Sequence, residues 1–190
     1  SLEATTTGSQ NVAIGRSAME SNTTASDNVA VGFAALEVNT TGASNTAVGK
    51  SALVANTTGA QNTAVGANSA DEVTTGSDNT SLGFRSLAST TTGASNVAIG
   101  SDALRTNTTA SNNTAVGYQA LVANTTGTQN TAVGVGALDA NTTGNENTAL
   151  GYAALSTATT AAGNTALGWG AMISTTTGYA GVAIGVSSLG

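Results

Sequence analysis

A five-residue phrase, Asn-Thr/Val-Ala-Val/Ile/Leu-Gly, returns eleven times along this chain at an unbroken spacing of 17 residues, with only Ser81 and Gly181 departing from it. A fixed period without insertions means one structural unit stacked on copies of itself, because a short unit alone cannot bury its apolar face while a column of units can. Counting the unit from Asn11, its places 1 to 17 read N-T/V-A-V-G-x-x-A-L-x-x-N-T-T-G-x-x. Place 4 is always branched aliphatic, from Ile14 to Ile184, and place 9 is Leu or Met except at Ala70. These two columns are the expected core. The Thr pair at places 13 and 14 recurs from Thr6-Thr7 to Thr176-Thr177 without exception. The outermost residues, Ser1-Leu2-Glu3 and Gly190, keep the same phase, which reads as a segment of something longer or as a subunit that stacks end to end.

A 17-residue period is too short for a helical hairpin repeat, and Gly, Asn and Thr-Thr pairs interrupt every Ala-rich stretch. The expected fold is therefore all-β: a parallel β-solenoid of eleven rungs forming a single domain over residues 1–190. Places 2 to 4 alternate as a short strand and the place-5 glycine supplies a permissive corner. The Thr pair predicts a second strand, a bend runs from place 15 to the next Asn, and places 8 to 11 are candidates for a third. Asn at places 1 and 12 is expected to pair with its copies above and below as an amide ladder. At about 4.8 Å per rung the body is on the order of 50 Å long.

If places 2 and 4 fill the core, place 3 points outward. It is nonetheless small in every copy: Ala13, Ala30, Ala47, Ala64, Ser81, Ala98, Ala115, Ala132, Ala149, Ala166 and Ala183. That smallness points to close approach by another backbone, hence to a homo-oligomer around an axis, a trimer. The competing reading is that these alanines pack beneath a corner of their own chain.

The phrases Asn96-Val97-Ala98-Ile99-Gly100 and Asn113-Thr114-Ala115-Val116-Gly117 resemble the head repeats of YadA-like trimeric autotransporter adhesins. The longer run from Asn113 to Gly127 is similar to repeats of phage and other viral tail fibres. The resemblance implies a left-handed parallel β-roll, trimeric, projecting from a cell or virion to bind a surface. The 17-residue unit is longer than the usual adhesin-head repeat, and neither a membrane anchor nor a stalk is recognisable in it.

Composition narrows the function classes. The chain has no Cys and no His, one Lys, a charged fraction of 7% and a net charge of −6. That balance repels phosphate backbones, so nucleic acid is not an expected partner. Nor is membrane insertion of this segment, since no long apolar run occurs. No catalytic constellation and no cofactor is expected, because the many hydroxyls have no evident base. Place 10 is acid-rich at Glu3, Glu20, Glu37, Asp71 and Asp139, with Arg105 opposing, and Asp71-Glu72 near Asp78 is the densest acidic spot. A solvated face accounts for these better than a metal site, since no calcium-loop pattern accompanies them.

Five of the six aromatic residues, Phe33, Phe84, Tyr118, Tyr152 and Trp169, fall at place 6. They are candidates for stacking on host-surface glycans, beside the plainer alternative of packing between chains. The place-14 threonines, Thr7, Thr24, Thr41, Thr58, Thr75, Thr92, Thr109, Thr126, Thr143, Thr160 and Thr177, are candidates for an ice-binding face. Regular Thr arrays on a flat solenoid face order surface water in several ice-binding proteins. Here, though, the companion at place 12 is uneven, with Val73, Thr90, Ala158 and Thr175 among the asparagines. Asn22, Asn39, Asn56, Asn107, Asn124 and Asn141 also open formal glycosylation sequons. The expectation is a rigid extracellular or virion fibre module with multivalent weak contacts, with ice binding and end-to-end filament assembly as the alternatives.

Overall fold

The computed structural model describes residues 4–189, so Ser1, Leu2, Glu3 and Gly190 and their part in the repeat phase lie outside the described residues. Eleven strands of three residues each, β1 (Val12–Ile14), β2 (Val29–Val31), β3 (Thr46–Val48), β4 (Thr63–Val65), β5 (Thr80–Leu82), β6 (Val97–Ile99), β7 (Thr114–Val116), β8 (Thr131–Val133), β9 (Thr148–Leu150), β10 (Thr165–Leu167) and β11 (Val182–Ile184), form one sheet in sequence order. Every pair is parallel and in register, Val12 on Val29 on Thr46 and so on, so each rung lies directly over the last. The expected parallel β-solenoid is the fold.

Within a rung, the cross-section differs from the expectation. Only places 2 to 4 form a strand; the Thr pair lies in a bend and places 8 to 11 in turns. The side chains also alternate in the opposite sense. Place 3 points inward: Ala30, Ala47, Ala64, Ser81, Ala98, Ala115, Ala132, Ala149 and Ala166 are fully buried, Ala183 nearly so and Ala13 partly. Place 4, expected in the core, points out, with Ile14 61% and Leu82 45% exposed. Place 9 behaves as expected, its leucines from Leu36 to Leu155 being wholly buried, and the place-8 alanines lie beside them. The rung interior is thus narrow on the strand side, where only alanine and Ser81 are found, and filled in most rungs by one leucine from the opposite wall. Smallness at place 3 comes from packing under the chain's own wall and not from a neighbouring chain.

Two backbone devices shape the rung. Gly117 at place 5 has φ +137, and a Cβ there would sit 2.5 Å from the carbonyl oxygen of Gly134 in the next rung, so the corner needs glycine for both conformation and space. Places 7, 9 and 17 turn through the left-handed region mostly without glycine: Ala34 has φ 55, Leu36 φ 51 and Ser44 φ 60, with Gly136, Gly163 and Gly170 the glycines found there. A leucine in that region costs on the order of 1–3 kcal/mol. Burying its side chain returns about 1.5–3 kcal/mol.

Polar groups fill the remaining corner. Asn39 Nδ2 donates to Asn22 Oδ1 at 3.3 Å and to the Gly42 carbonyl at 2.9 Å, and Asn56 Nδ2 repeats both bonds one rung on. The place-1 column does the complementary work: Asn45 Oδ1 accepts from the Asn62 backbone N–H at 2.9 Å, while Asn45 Nδ2 donates to the Gly59 carbonyl at 2.8 Å. Both expected amide ladders are present.

The place-12 ladder runs Asn22, Asn39, Asn56, stops at Val73 and Thr90, then resumes at Asn107, Asn124 and Asn141 before Ala158. Asn56 Oδ1 and Asn141 Oδ1 are buried without a hydrogen-bond partner. Each faces the rung in which asparagine is missing, so the missing donor is identified. Val73→Asn and Ala158→Asn supply that donor but pass the bare acceptor on to the new Oδ1 and give up a buried apolar side chain, so neither is expected to stabilise the stack, whereas Asn39→Ala, which orphans Asn22 Oδ1 and interrupts the ladder, is expected to cost roughly 1–3 kcal/mol, both read by denaturant unfolding.

Candidate functional site

The outward face of the sheet is the most extended feature of the surface. Place 2 holds only Thr or Val and place 4 only Val, Ile or Leu, giving two parallel ranks of side chains down eleven strands with no charge among them. Strand geometry sets neighbours in a rank about 4.8 Å apart and the two ranks about 7 Å apart. Soluble surfaces seldom carry an uncharged strip of this length, with an aliphatic rank running through it, without a use for it. Thr and Val share a branched shape, so what place 2 holds constant is form, with the hydroxyl optional.

Place 6 continues this face past the corner glycine. Phe33, Phe84, Tyr118, Tyr152 and Trp169 are each about half exposed, with Val135 and Val186 in the same column. Tyr152 and Trp169, one rung apart, stack with ring centroids 5.9 Å apart and planes 7° from parallel. The Arg16 guanidinium lies 5.8 Å from the centre of the Phe33 ring, and that of Arg85 5.8 Å from the centre of Phe84. The facing sides of Tyr152 and Trp169 are thus covered by one another across a rung, and one face each of Phe33 and Phe84 lies against a guanidinium. A sugar ring needs an open aromatic face to stack upon. The place-6 column stands as an exposed ridge beside the strip, each ring about half open to solvent.

The two threonines of each pair do different work. Thr57 Oγ1 donates to the Thr74 carbonyl at 3.0 Å, the oxygen that also accepts the backbone N–H groups of Thr57 at 2.9 Å and Thr58 at 3.3 Å. The same hydroxyl bond recurs at Thr40, Thr125 and Thr142, which explains the strictness of place 13. The place-14 column, Thr7, Thr24, Thr41, Thr58, Thr75, Thr92, Thr109, Thr126, Thr143, Thr160 and Thr177, is exposed, but place 12 beside it is buried wherever it is Asn. One row of threonines therefore stands alone there, without the second rank of a flat ice-binding face. The sequon asparagines Asn22, Asn39, Asn56, Asn107, Asn124 and Asn141 are inside the rung, their Nδ2 atoms donating to the corner, out of reach of glycosylation in the folded chain.

The charged groups are sparse and local. Arg105, which sequence set against the place-10 acids, instead approaches Asp102 at 3.6 Å, with Arg85 at 3.9 Å from the same oxygen. Those separations exceed hydrogen-bond length, so the mostly buried Asp102 oxygen is left without a hydrogen bond, and the partly solvated arginines contribute little. Burial pushes the carboxyls of Asp71 and Asp139 above their ordinary range, with the neighbouring Glu72 charge adding to the effect at Asp71. Among the described residues no three His, Cys, Asp or Glu side chains converge as a metal site, and no pocket opens in the surface.

A carboxyl with a raised folded pKa favours the folded state when protonated, so this contribution is lost as pH rises from the ordinary value of 3.8 through the raised one. Asp139→Asn is expected to raise the melting temperature at pH 7 and to make no difference below pH 3.8, compared by thermal unfolding at both pH values. Thr57→Val is expected to cost about 1 kcal/mol and Thr58→Val almost nothing, since only the first hydroxyl is bonded. Set against known protein families, curated proteins and solved structures, the chain has no match.

Proposed function

We propose that this chain is a structural and adhesive fibre module, a rigid rod whose uncharged sheet face is buried against further copies of itself in a homo-oligomer, with the trimer implied by its resemblance to adhesin heads and tail fibres. The observation that carries the reading is the pair of uncharged ranks, Thr or Val at place 2 and aliphatic at place 4, continuous from Val12–Ile14 to Val182–Ile184. Together with the flanking place-6 column the strip measures about 50 Å by about 14 Å, or roughly 700 Å² per copy, close to the 800 Å² per partner of a stable interface. The trimer contact thereby moves from the place-3 alanines to the residues on either side of them.

In this reading the remaining faces look outward: the exposed place-14 threonines, the polar residues at place 17 and the acid-bearing place 10. Rigidity supplies reach and repetition supplies many weak surface contacts, so attachment to a host glycan or receptor gains by avidity. An extracellular or virion setting suits such a rod.

One observation favours a second reading. The strip is in register from rung to rung and made of branched side chains with threonine in seven of its eleven place-2 positions, a surface suited to ordering water against ice. Ice binding requires the strip to stay open to solvent, which separates it from the fibre reading. A third arrangement, end-to-end stacking, would pair the open edges of β1 and β11, each hydrogen-bonded on one side only among the described residues.

Light scattering of the wild-type chain at micromolar concentration is expected to give an oligomer mass, and Leu150→Glu, which puts a charge into the strip without touching the rung interior, a monomer with unchanged circular dichroism. A wild-type monomer that shapes ice crystals would establish the second reading in place of the first.

A further inference from the structure

The outward face has a longer period than the rung. The run Thr5-Thr6-Thr7-Gly8 followed by β1 as Val-Ala-Ile returns as Thr90-Thr91-Thr92-Gly93 before β6 and as Thr175-Thr176-Thr177-Gly178 before β11, 85 residues apart each time, which is five rungs of 17. Between these marks the strands follow the same order. Thr46-Ala47-Val48 corresponds to Thr131-Ala132-Val133, and the closing strand Thr80-Ser81-Leu82 to Thr165-Ala166-Leu167. The interior keeps the same beat, since the place-12 amide ladder breaks at Val73-Thr90 and again at Ala158-Thr175.

We infer that parallel copies of this chain associate through the place-2 and place-4 strip at two axial alignments only, flush or displaced by five rungs. The inference rests on the self-association proposed above and adds its register. Whatever place-2 and place-4 side chains interlock when two copies lie flush, a displacement by five rungs brings nearly the same neighbours together again, while the flanking place-6 column, with Phe33 against Tyr118 and Lys50 against Val135, carries no such order. Five of the six overlapping residues are reproduced at place 2 and five of six at place 4, the exceptions being Val29 against Thr114 and Val65 against Leu150. At each displacement of one to four rungs fewer than half of the place-4 residues are reproduced, so Ile and Leu meet positions shaped for Val and the reverse. Closely packed faces respond to single methylene changes of that kind. No other surface is expected to share both the rung spacing and the five-rung order, so the fitting occupant is a second copy of the chain.

The displaced alignment has a consequence the flush one lacks. A shift of five rungs is about 24 Å. It leaves six of the eleven strands overlapped and five projecting from each end, where another copy can add in the same way. Flush association closes on itself; displaced association is open and grows into a staggered fibre.

The chain has no cysteine of its own, so single thiols report the register. Chains carrying Thr46→Cys are mixed with mass-tagged chains carrying Thr131→Cys, five rungs away in the same rank, and joined with a bifunctional thiol reagent no longer than one rung. Parallel mixtures pair Thr46→Cys with Thr80→Cys, two rungs away, and with Val97→Cys, three rungs away. The expected result is cross-linking of Thr46→Cys with itself and with Thr131→Cys, and little with either control. Cross-linking to the controls as strong as to Thr131→Cys would overturn the register. Cross-linking of Thr46→Cys to itself alone would remove the displaced alignment while leaving the fibre reading intact. No cross-linking in any mixture, together with a monomer mass by light scattering, would overturn both.

Discussion

Every rung depends on the carbonyl oxygens of its neighbour. At place 13 one oxygen accepts two backbone N–H groups and a threonine hydroxyl from the adjacent rung, as Thr74 does for Thr57 and Thr58. At place 1 one side-chain amide oxygen accepts the backbone N–H of the asparagine in the next rung, as Asn45 does for Asn62. A single rung would leave these acceptors and amides without partners in a space closed to water, which is costly for each group. The stack satisfies them by repetition wherever the asparagine column is unbroken, and a rung can repeat in this way only if its length never changes. The unbroken period of 17 is the sequence-level form of that constraint.

The fold was legible in the sequence because it follows from period and glycine placement; the inside and outside of the strand were not. A three-residue strand gives period-two alternation almost no length over which to declare its phase, and Val-Ala-Ile reads equally well with its large residues in or out. The assumption that aliphatic residues seek the core favoured the wrong face. What decides the matter is Leu at place 9, which already fills the rung and leaves room opposite for nothing larger than Ala or Ser. Ser81 is informative here. Its hydroxyl lies among those of Ser69 and Ser86, 2.8 and 2.6 Å away, a bonded cluster that fits an inward side chain and makes no sense for an outward one.

The turns at places 7 and 9 were also hidden. Left-handed backbone usually announces itself through Gly or Asn, yet here Leu occupies it in rung after rung with φ near 50. Burial offsets the conformational cost, so the residue type records the packing and conceals the turn. Of the candidate site, the place-6 aromatic column was correctly located on the surface, but which of its ring faces are covered depends on contacts such as the stacking of Tyr152 on Trp169 and could not be read from spacing. The longer five-rung order was present in the letters throughout. It gains meaning only once places 2 and 4 are known to face outward.

The amide ladder at place 12 has a direction. In each step the Nδ2 of the later asparagine donates back to the Oδ1 of the earlier one, from Asn39 to Asn22 and from Asn141 to Asn124. All these side-chain dipoles point the same way, so a run begins with an NH2 that donates to a threonine hydroxyl, Asn22 to Thr5 and Asn107 to Thr90, and ends with a bare acceptor, at Asn56 and Asn141. The rod is therefore chemically polar along its length, like a filament with unlike ends: peeling a rung away uncovers donors in one direction and acceptors in the other, and fraying from the two tips proceeds against different barriers.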